Sequence, residues 1–165
     1  IIVSLVGSEM CIRDSVPGFS GISAPYWKPG FPDIFNDTGE EPNQIIRAGV
    51  ESIGFLFNDI LNCFIESGVG LPKSINASGG AARPVLLQFI SSLTNLEIYY
   101  SDLKDRTAVG VYKLLNNEEY KGANELYNKG RRFKPKCLGN KNEKKEKWHR
   151  TLINSNLKES SYSEI

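Results

Sequence analysis

The sequence predicts an α/β domain in which helices cover a sheet. A long amphipathic segment over residues 42–66 has the periodicity of a helix. Two short strand-like segments, 73–77 and 96–100, then alternate with helix-like segments. The first of these strands ends in Gly79-Gly80, directly before a helix. This alternation of helix and strand is typical of an α/β layer architecture.

The segment over residues 42–66 is the clearest helix in the sequence. Pro42 suits the first helical position, Glu40 and Glu41 suit its positive end, and Gly68 is a suitable C-terminal stop. Apolar residues recur at steps of four and three along it: Ile46, Val50, Ile53, Phe57, Ile60 and Phe64. We expect this stripe to be buried against the sheet that carries residues 73–77 and 96–100.

The remaining elements follow the same alternation. Pro84 opens a second helix over residues 85–95, and Asp105 caps a third helix over residues 106–117. Residues 119–136 are expected to add a further helix, and the chain beyond them is polar and rich in Lys and Asn.

Composition excludes several classes of protein. The net charge is +1, although residues 121–150 hold eleven Lys/Arg against three Glu. The sequence has three widely spaced cysteines and a single histidine, His149. These numbers argue against a disulfide framework, a zinc site and a Ser-His-Asp triad. No apolar run is expected to reach transmembrane length. A reducing compartment is therefore the default expectation.

The first 15 residues call for separate treatment. Their apolar part is short for a signal peptide and no basic region precedes it, and IIVSLV alone could form an edge strand. SLVGSEMCIRDS, however, resembles the translation of a sequencing adaptor. We therefore interpret residues 1–15 as non-native and expect the protein to have been cut just upstream of Val16.

The turn Ser78-Gly79-Gly80 between strand and helix is the one place where spacing suggests chemistry. Glycine lets the backbone approach a ligand closely, and the free N–H groups at a helix N-terminus favour phosphate. The sequence lacks a GxxxxGK[ST] phosphate loop. On local evidence alone, a tight turn without a ligand is the favoured interpretation.

Four ordered motifs make a more specific pattern. They read FSGISAPYW over 19–27, IIRAGVESIGF over 45–55, SGGA over 78–81 with LLQF over 86–89, and DRTAVGVYKL over 105–114. Together they resemble the C-terminal domain of the FGGY carbohydrate kinases. The resemblance runs from Val16 to about Trp148.

The resemblance implies an actin-like, ribonuclease-H-like fold, truncated at its N-terminal side, whose domain occupies residues 16–118. Residues 119–165 would form a C-terminal helix and a polar basic tail. It also implies phosphoryl transfer from ATP, with Mg²⁺ held through the nucleotide phosphates, to a hydroxyl of glycerol or a related polyol or sugar. Gly79, Gly80 and Ala81 would bind the nucleotide, and no protein residue would bind the metal directly.

The same resemblance places the catalytic Asp, the substrate-binding residues and the first phosphate loop upstream of Val16, so that no catalytic residue lies in this chain. The partner is then a missing N-terminal domain of the same polypeptide, and the isolated chain is expected to be inactive. The resemblance further implies a cytoplasmic protein that binds neither nucleic acid nor membranes. It does not decide whether the protein forms a homo-oligomer.

Departures from the family pattern support alternatives. Ser78 stands where many members have Asp, and residues 28–33 replace an Ala-Arg-Gly sequence. These changes favour, as an alternative, a non-catalytic actin-like binding module. The basic tail supports a further alternative, an RNA-binding domain, but it has few interleaved aromatic residues.

Three side chains near these motifs have two interpretations each. Tyr26 and Trp27 could line a ligand cleft, but aromatic residues in a rigid loop more often pack against the edge of a core. Arg83 could contact phosphate, although a solvated surface position is favoured.

Overall fold

The structure is a computed structural model, and it describes residues 15–16, 21–31, 34–35, 42–101, 106–116 and 130–155. The chain divides into two compact units. One comprises residues 1–71 together with 137–165, and the other comprises residues 72–136.

The described elements are four helices and seven strands. The helices are α1 (Pro42–Glu66), α2 (Pro84–Thr94), α3 (Arg106–Leu115) and α4 (Lys141–Asn154). The strands are β1 (Ser15–Val16), β2 (Gly21–Ile22), β3 (Lys28–Pro29), β4 (Ile34–Phe35), β5 (Ser74–Ala77), β6 (Glu97–Tyr100) and β7 (Arg131–Phe133). The predicted α/β class is confirmed.

The first unit is built on α1. Two short antiparallel pairs, β1 with β4 and β2 with β3, precede this helix, and both β1 and α4 contact it. Helix α1 begins at Pro42, as predicted, whereas Glu40 and Glu41 lie outside the described residues.

The C-terminal end of α1 is a Schellman motif. The Gly68 amide donates to the Ile65 carbonyl over 2.9 Å, and the Val69 amide donates to the Phe64 carbonyl over 2.9 Å. Gly68 has φ +77°, a conformation that glycine adopts without steric cost. The predicted helix stop is therefore confirmed.

The prediction that the apolar stripe of α1 is buried is wrong. Ile46, Ile53 and Phe64 are 55%, 48% and 49% exposed. The buried residues of the helix lie mainly on the other side and include polar ones: Ala48, Glu51, Ser52, Gly54, Phe55, Asn58, Asp59 and Leu61. The face that carries these polar side chains is buried because they form hydrogen bonds and ion pairs within the unit, as described below.

Helix α1 also corrects the expectation about apolar length. It is long and apolar enough to cross a membrane by length and composition, a test that the core helix of a soluble protein also passes. Charged side chains such as Glu51 and Asp59 are buried in it against other protein groups, which is the behaviour of a core helix.

The second unit holds a three-stranded sheet in the order β5-β6-β7. Strands β5 and β6 are parallel, with Ile75 opposite Ile98, and β7 pairs antiparallel to β6, with Phe133 opposite Ile98. Helix α2 packs on this sheet, and Leu93 and Ile98 are fully buried. The Ser91 hydroxyl donates to the carbonyls of Leu96 (2.7 Å) and Phe133 (3.2 Å), which joins the helix to the sheet.

The predicted helix over residues 119–136 is wrong at its C-terminal end, where β7 forms; residues 117–129 lie outside the described part. Gly130 enters β7 beside Tyr100, and a Cβ on it would lie 1.8 Å from the Tyr100 carbonyl oxygen. Only glycine fits there without a shift of the backbone. Asp105, the predicted cap of α3, also lies outside the described residues.

Part of the segment described above as a polar basic tail is buried. Residues 141–154 form α4, in which Lys144, Trp148, Thr151 and Leu152 are buried. The Trp148 ring stacks on Phe55 of α1, with ring centroids 5.4 Å apart. Helix α4 is rich in Lys, yet one of its faces is buried. That face contacts acidic and aromatic side chains of α1.

Candidate nucleotide-binding site

The turn that joins β5 to α2 contains all three predicted nucleotide-binding residues. Strand β5 ends at Ala77, and Gly79, Gly80 and Ala81 follow before the helix begins at Pro84. The Ala82 amide donates to the Gly79 carbonyl over 3.2 Å, and the Arg83 amide donates to the Ala81 carbonyl over 2.7 Å. These two bonds fold the backbone into a compact corner.

The N-terminus of α2 lacks a side-chain cap. Arg83 occupies the N-cap position with extended backbone (φ −78°, ψ 144°) and makes no side-chain cap hydrogen bond, and Pro84 has no amide hydrogen. The Leu87 amide donates to the Arg83 carbonyl over 3.0 Å. The amides before it, those of Val85 and Leu86, have no acceptor among the described residues. Such amides at the positive end of a helix suit an anion.

The space beside the turn is open. A Cβ on either Gly79 or Gly80 would have no atom within 4 Å. Gly79 has φ +97°, so its backbone requires glycine. Gly80 has neither a positive φ nor a crowding neighbour, and nothing in the described fold requires glycine at this position. A ligand could therefore approach the backbone of Gly80 closely.

Arg83 is exposed at this corner, in agreement with the predicted surface position. Within the part of the chain that the structure describes, no group of three or more His, Cys, Asp or Glu side chains could hold a metal ion. The residues at the corner fit a phosphate group, which they would meet through backbone amides.

A second polar cluster, around Asp59 of α1, lies in the first unit. Asp59 is 5% exposed. Its Oδ2 accepts hydrogen bonds from Tyr26 Oη (2.9 Å) and Trp148 Nε1 (2.7 Å). Its Oδ1 lies 3.3 Å from Nε2 of His149. One carboxylate therefore connects the loop between β2 and β3 to helices α1 and α4.

An ion-pair cluster around Glu51 lies further toward the N-terminus of α1. Glu51 accepts from Lys144 Nζ on both carboxylate oxygens, over 2.7 and 2.6 Å, and from Arg47 Nε over 2.9 Å. The Glu51 and Lys144 side chains are almost completely buried. Two charged donors on one carboxylate offset the cost of desolvating it.

The two aromatic residues of the loop between β2 and β3 behave differently from each other. Tyr26 packs toward Asp59, as the favoured core-edge interpretation expects. Trp27 is 73% exposed with φ +51°, so the core-edge interpretation is wrong for it. The conformation of the loop directs one neighbour inward and the next outward.

Sequence reasoning missed the Asp59 and Glu51 clusters. A signal was present, because Glu51, Asn58 and Asp59 recur at helical spacing within α1, opposite the apolar stripe. Their partners on α4 lie 87 to 93 residues away, in a segment that the sequence analysis describes as a polar basic tail.

Comparison with known proteins identifies the family of the chain. Residues 14–116 match the FGGY family of carbohydrate kinases, C-terminal domain. A glycerol kinase of Shewanella piezotolerans is 38% identical over 130 residues, which cover 73% of this chain and 26% of that protein.

Solved structures share the fold. The glycerol kinase of Plasmodium falciparum, determined with ADP, superimposes with a TM-score of 0.68 at 22% identity, over 87% of this chain and 31% of that one. A xylulose kinase from Brucella ovis superimposes with a TM-score of 0.72 at 19% identity, over 88% of this chain and 33% of that one.

The described fold is thus actin-like and ribonuclease-H-like, as predicted. The chain belongs to the FGGY family of carbohydrate kinases and carries its C-terminal domain. It spans about a quarter of the length of the glycerol kinase from Shewanella piezotolerans.

Proposed function

We propose that this chain supplies the nucleotide side of an ATP-dependent carbohydrate kinase. The observation that carries the proposal is the uncapped corner between β5 and α2, with open space beside Gly80. The family resemblance implies a nucleotide at the same turn, which supports the proposal. Gly79, Gly80 and Ala81 are the residues proposed to contact it.

The chemistry of the corner suits phosphate binding. Backbone amides at Gly80 and in the first turn of α2 would hold phosphate oxygens, and the helix dipole adds a favourable field. Mg²⁺ would be held through the phosphates, since phosphoryl transfer depends on positioning and charge neutralisation more than on covalent catalysis by the protein. The residues of this chain would thus bind and orient, and would not abstract a proton.

The proposed acceptor is a hydroxyl of glycerol or of a related polyol or sugar. The curated relative with 38% identity is a glycerol kinase, and the structural neighbours include a xylulose kinase. The glycerol kinase-like assignment rests on the sequence identity, because structural likeness at 19–22% identity supports the fold alone.

We further propose that the chain acts together with an N-terminal domain of the same polypeptide, in the cytoplasm, and is inactive alone. The relatives are about four times longer than the matched region. The exposed apolar stripe of α1, with Ile46, Ile53 and Phe64, is consistent with contacts to further protein.

An ATP-coupled assay tests the proposal. The full-length protein should phosphorylate at least one of glycerol, xylulose or gluconate, and the 165-residue chain should show no turnover with any of them. Turnover by the isolated chain would contradict the proposal that catalysis requires the N-terminal domain. Absence of turnover by a folded full-length protein that binds ATP would favour the non-catalytic binding module, which the replacement of Asp by Ser78 supports.

The RNA-binding alternative loses support from the structure. It depended on the basic residues of the tail, but Lys144 is buried in an ion pair with Glu51 and Trp148 is stacked on Phe55. Neither of these side chains is available to a nucleic acid.

A further inference from the structure

A groove lies between α1 and α4 within the first unit, and none of its lining residues belongs to the proposed nucleotide corner. Its volume is about 520 Å³, within the range of ligand pockets. Its lining residues include Asn58 and Asn62 of α1 and Lys145, Glu146, His149 and Arg150 of α4.

Charged groups of both signs surround this groove. Lys145 and Arg150 contribute cations on its wall and Lys141 lies near Lys145, whereas Glu146 on the wall and the buried Asp59 contribute carboxylates. Asp59 lies buried next to His149, where its Oδ1 is 3.3 Å from the imidazole Nε2, and its other oxygen accepts two hydrogen bonds.

Lys145 is the key side chain. Its Nζ donates to the amide oxygen of Asn58 over 2.8 Å, which is a neutral acceptor. Burial lowers the pKa of Lys145 below its ordinary value, the charge of Lys141 lowers it further, and Asp59 opposes the shift. The ammonium group has therefore lost hydration without gaining a direct ion pair, and an anion in the groove would stabilise its charged form.

The amide groups of α1 complement these cations. Because the Oδ1 of Asn58 accepts from Lys145, its NH₂ group remains as a donor, and Asn62 follows one helical turn later. A lysine point charge, an arginine fork and amide donors are the groups that proteins use to bind phosphate and carboxylate oxygens.

We propose that the groove between α1 and α4 is a binding site for a small polyanion, a molecule with two or more phosphate or carboxylate groups. Lys145 and Arg150 would neutralise the anionic groups, Asn58 and Asn62 would donate hydrogen bonds, and Glu146 would oppose binding. The site is independent of the proposed kinase function, because none of its residues belongs to the β5–α2 corner.

Isothermal titration of the 165-residue chain with pyrophosphate tests the proposal. We expect saturable binding at one site that Lys145→Gln weakens about tenfold, since a charge-assisted contact of this kind is lost. Glu146→Gln should strengthen binding, which damage to the fold cannot do. Lys73→Gln, an equal change of charge at an exposed position in the other unit, should leave the affinity unchanged.

The proposal is overturned if pyrophosphate shows no saturable binding to the folded chain. It is also overturned if Lys145→Gln and Glu146→Gln both leave the affinity unchanged. A third contradicting result is loss of pyrophosphate binding in Gly80→Val with retention in Lys145→Gln, because that pair of results would assign the ligand to the nucleotide corner.

Discussion

Trp148 of α4 donates a hydrogen bond from Nε1 to Oδ2 of Asp59 on α1 over 2.7 Å, and both side chains are buried. The same carboxylate oxygen accepts from Tyr26. One acidic side chain therefore satisfies two aromatic donors that come from opposite ends of the sequence. This relationship makes the C-terminal helix part of the first unit.

We predict that Asp59→Ala lowers the free energy of unfolding by about 2–4 kcal/mol, because the buried Trp148 donor and the half-buried Tyr26 donor lose their acceptor. Ile53→Ala on the same helix should cost less than about 1 kcal/mol, since Ile53 is 48% exposed. Urea unfolding of the chain measures both. Equal losses for the two variants would contradict the burial pattern of α1.

The buried pair of Glu51 and Lys144 gives a second prediction. Lys144→Met should cost about 3 kcal/mol, because Glu51 keeps its charge in a buried site and, among the described residues, Arg47 remains as its close cation. The double variant Glu51→Leu/Lys144→Met should recover much of that loss. Lys136→Met, at an exposed position, is the control and should change stability little. Additive losses in the double variant would show that the pair is not coupled.

The sequence predicted the strand-turn-helix corner, α1 and α2 with correct types and nearly correct bounds. Their signals are local: Pro42 and Pro84 at helix starts, Gly68 at a helix end and Gly79-Gly80 after a strand. Such signals depend on the geometry of a few consecutive residues, which explains why they could be interpreted without a structure.

The face that α1 buries could not be predicted in the same way. The apolar stripe with Ile53 has the stronger periodicity, yet the opposite face is buried because Glu51 and Asp59 meet Lys144 and Trp148 of α4. That choice depends on contacts across about 90 residues of sequence. Periodicity within one helix carries no information about such distant partners.

Close packing at Gly130 gives a third prediction. A Cβ at this position would lie 1.8 Å from the Tyr100 carbonyl oxygen, so Gly130→Ala must displace β6 or β7. We expect a loss of about 1–3 kcal/mol, the range for overpacking. Gly139→Ala has no atom within 4 Å of the added Cβ and is the matched control. A fully stable Gly130→Ala chain would show that the approach of the two strands is wider.

The pair of Glu97 and Arg132 predicts a pH dependence. The hydrogen bond from Arg132 lowers the pKa of Glu97 below its ordinary value of 4.5, and the charges of Arg132 and Lys134 act in the same direction. A lowered folded-state pKa contributes stability that is present above pH 4.5 and is lost as the pH falls through the folded-state value. Glu97→Gln should therefore flatten the acid limb of the stability curve below pH 4.5. An unchanged acid limb would contradict the pairing.

The central claim is that the nucleotide lies at the corner between β5 and α2. Titrations of ATP and glycerol into the full-length protein and its Gly80→Val variant test it most directly. The added side chain has open space and no positive φ to oppose it, so the variant should fold, whereas it would obstruct a ligand that approaches the backbone. Strongly weakened ATP binding with nearly intact glycerol binding is the predicted result. Unchanged ATP affinity in a folded Gly80→Val protein would contradict it and would move the nucleotide away from this corner.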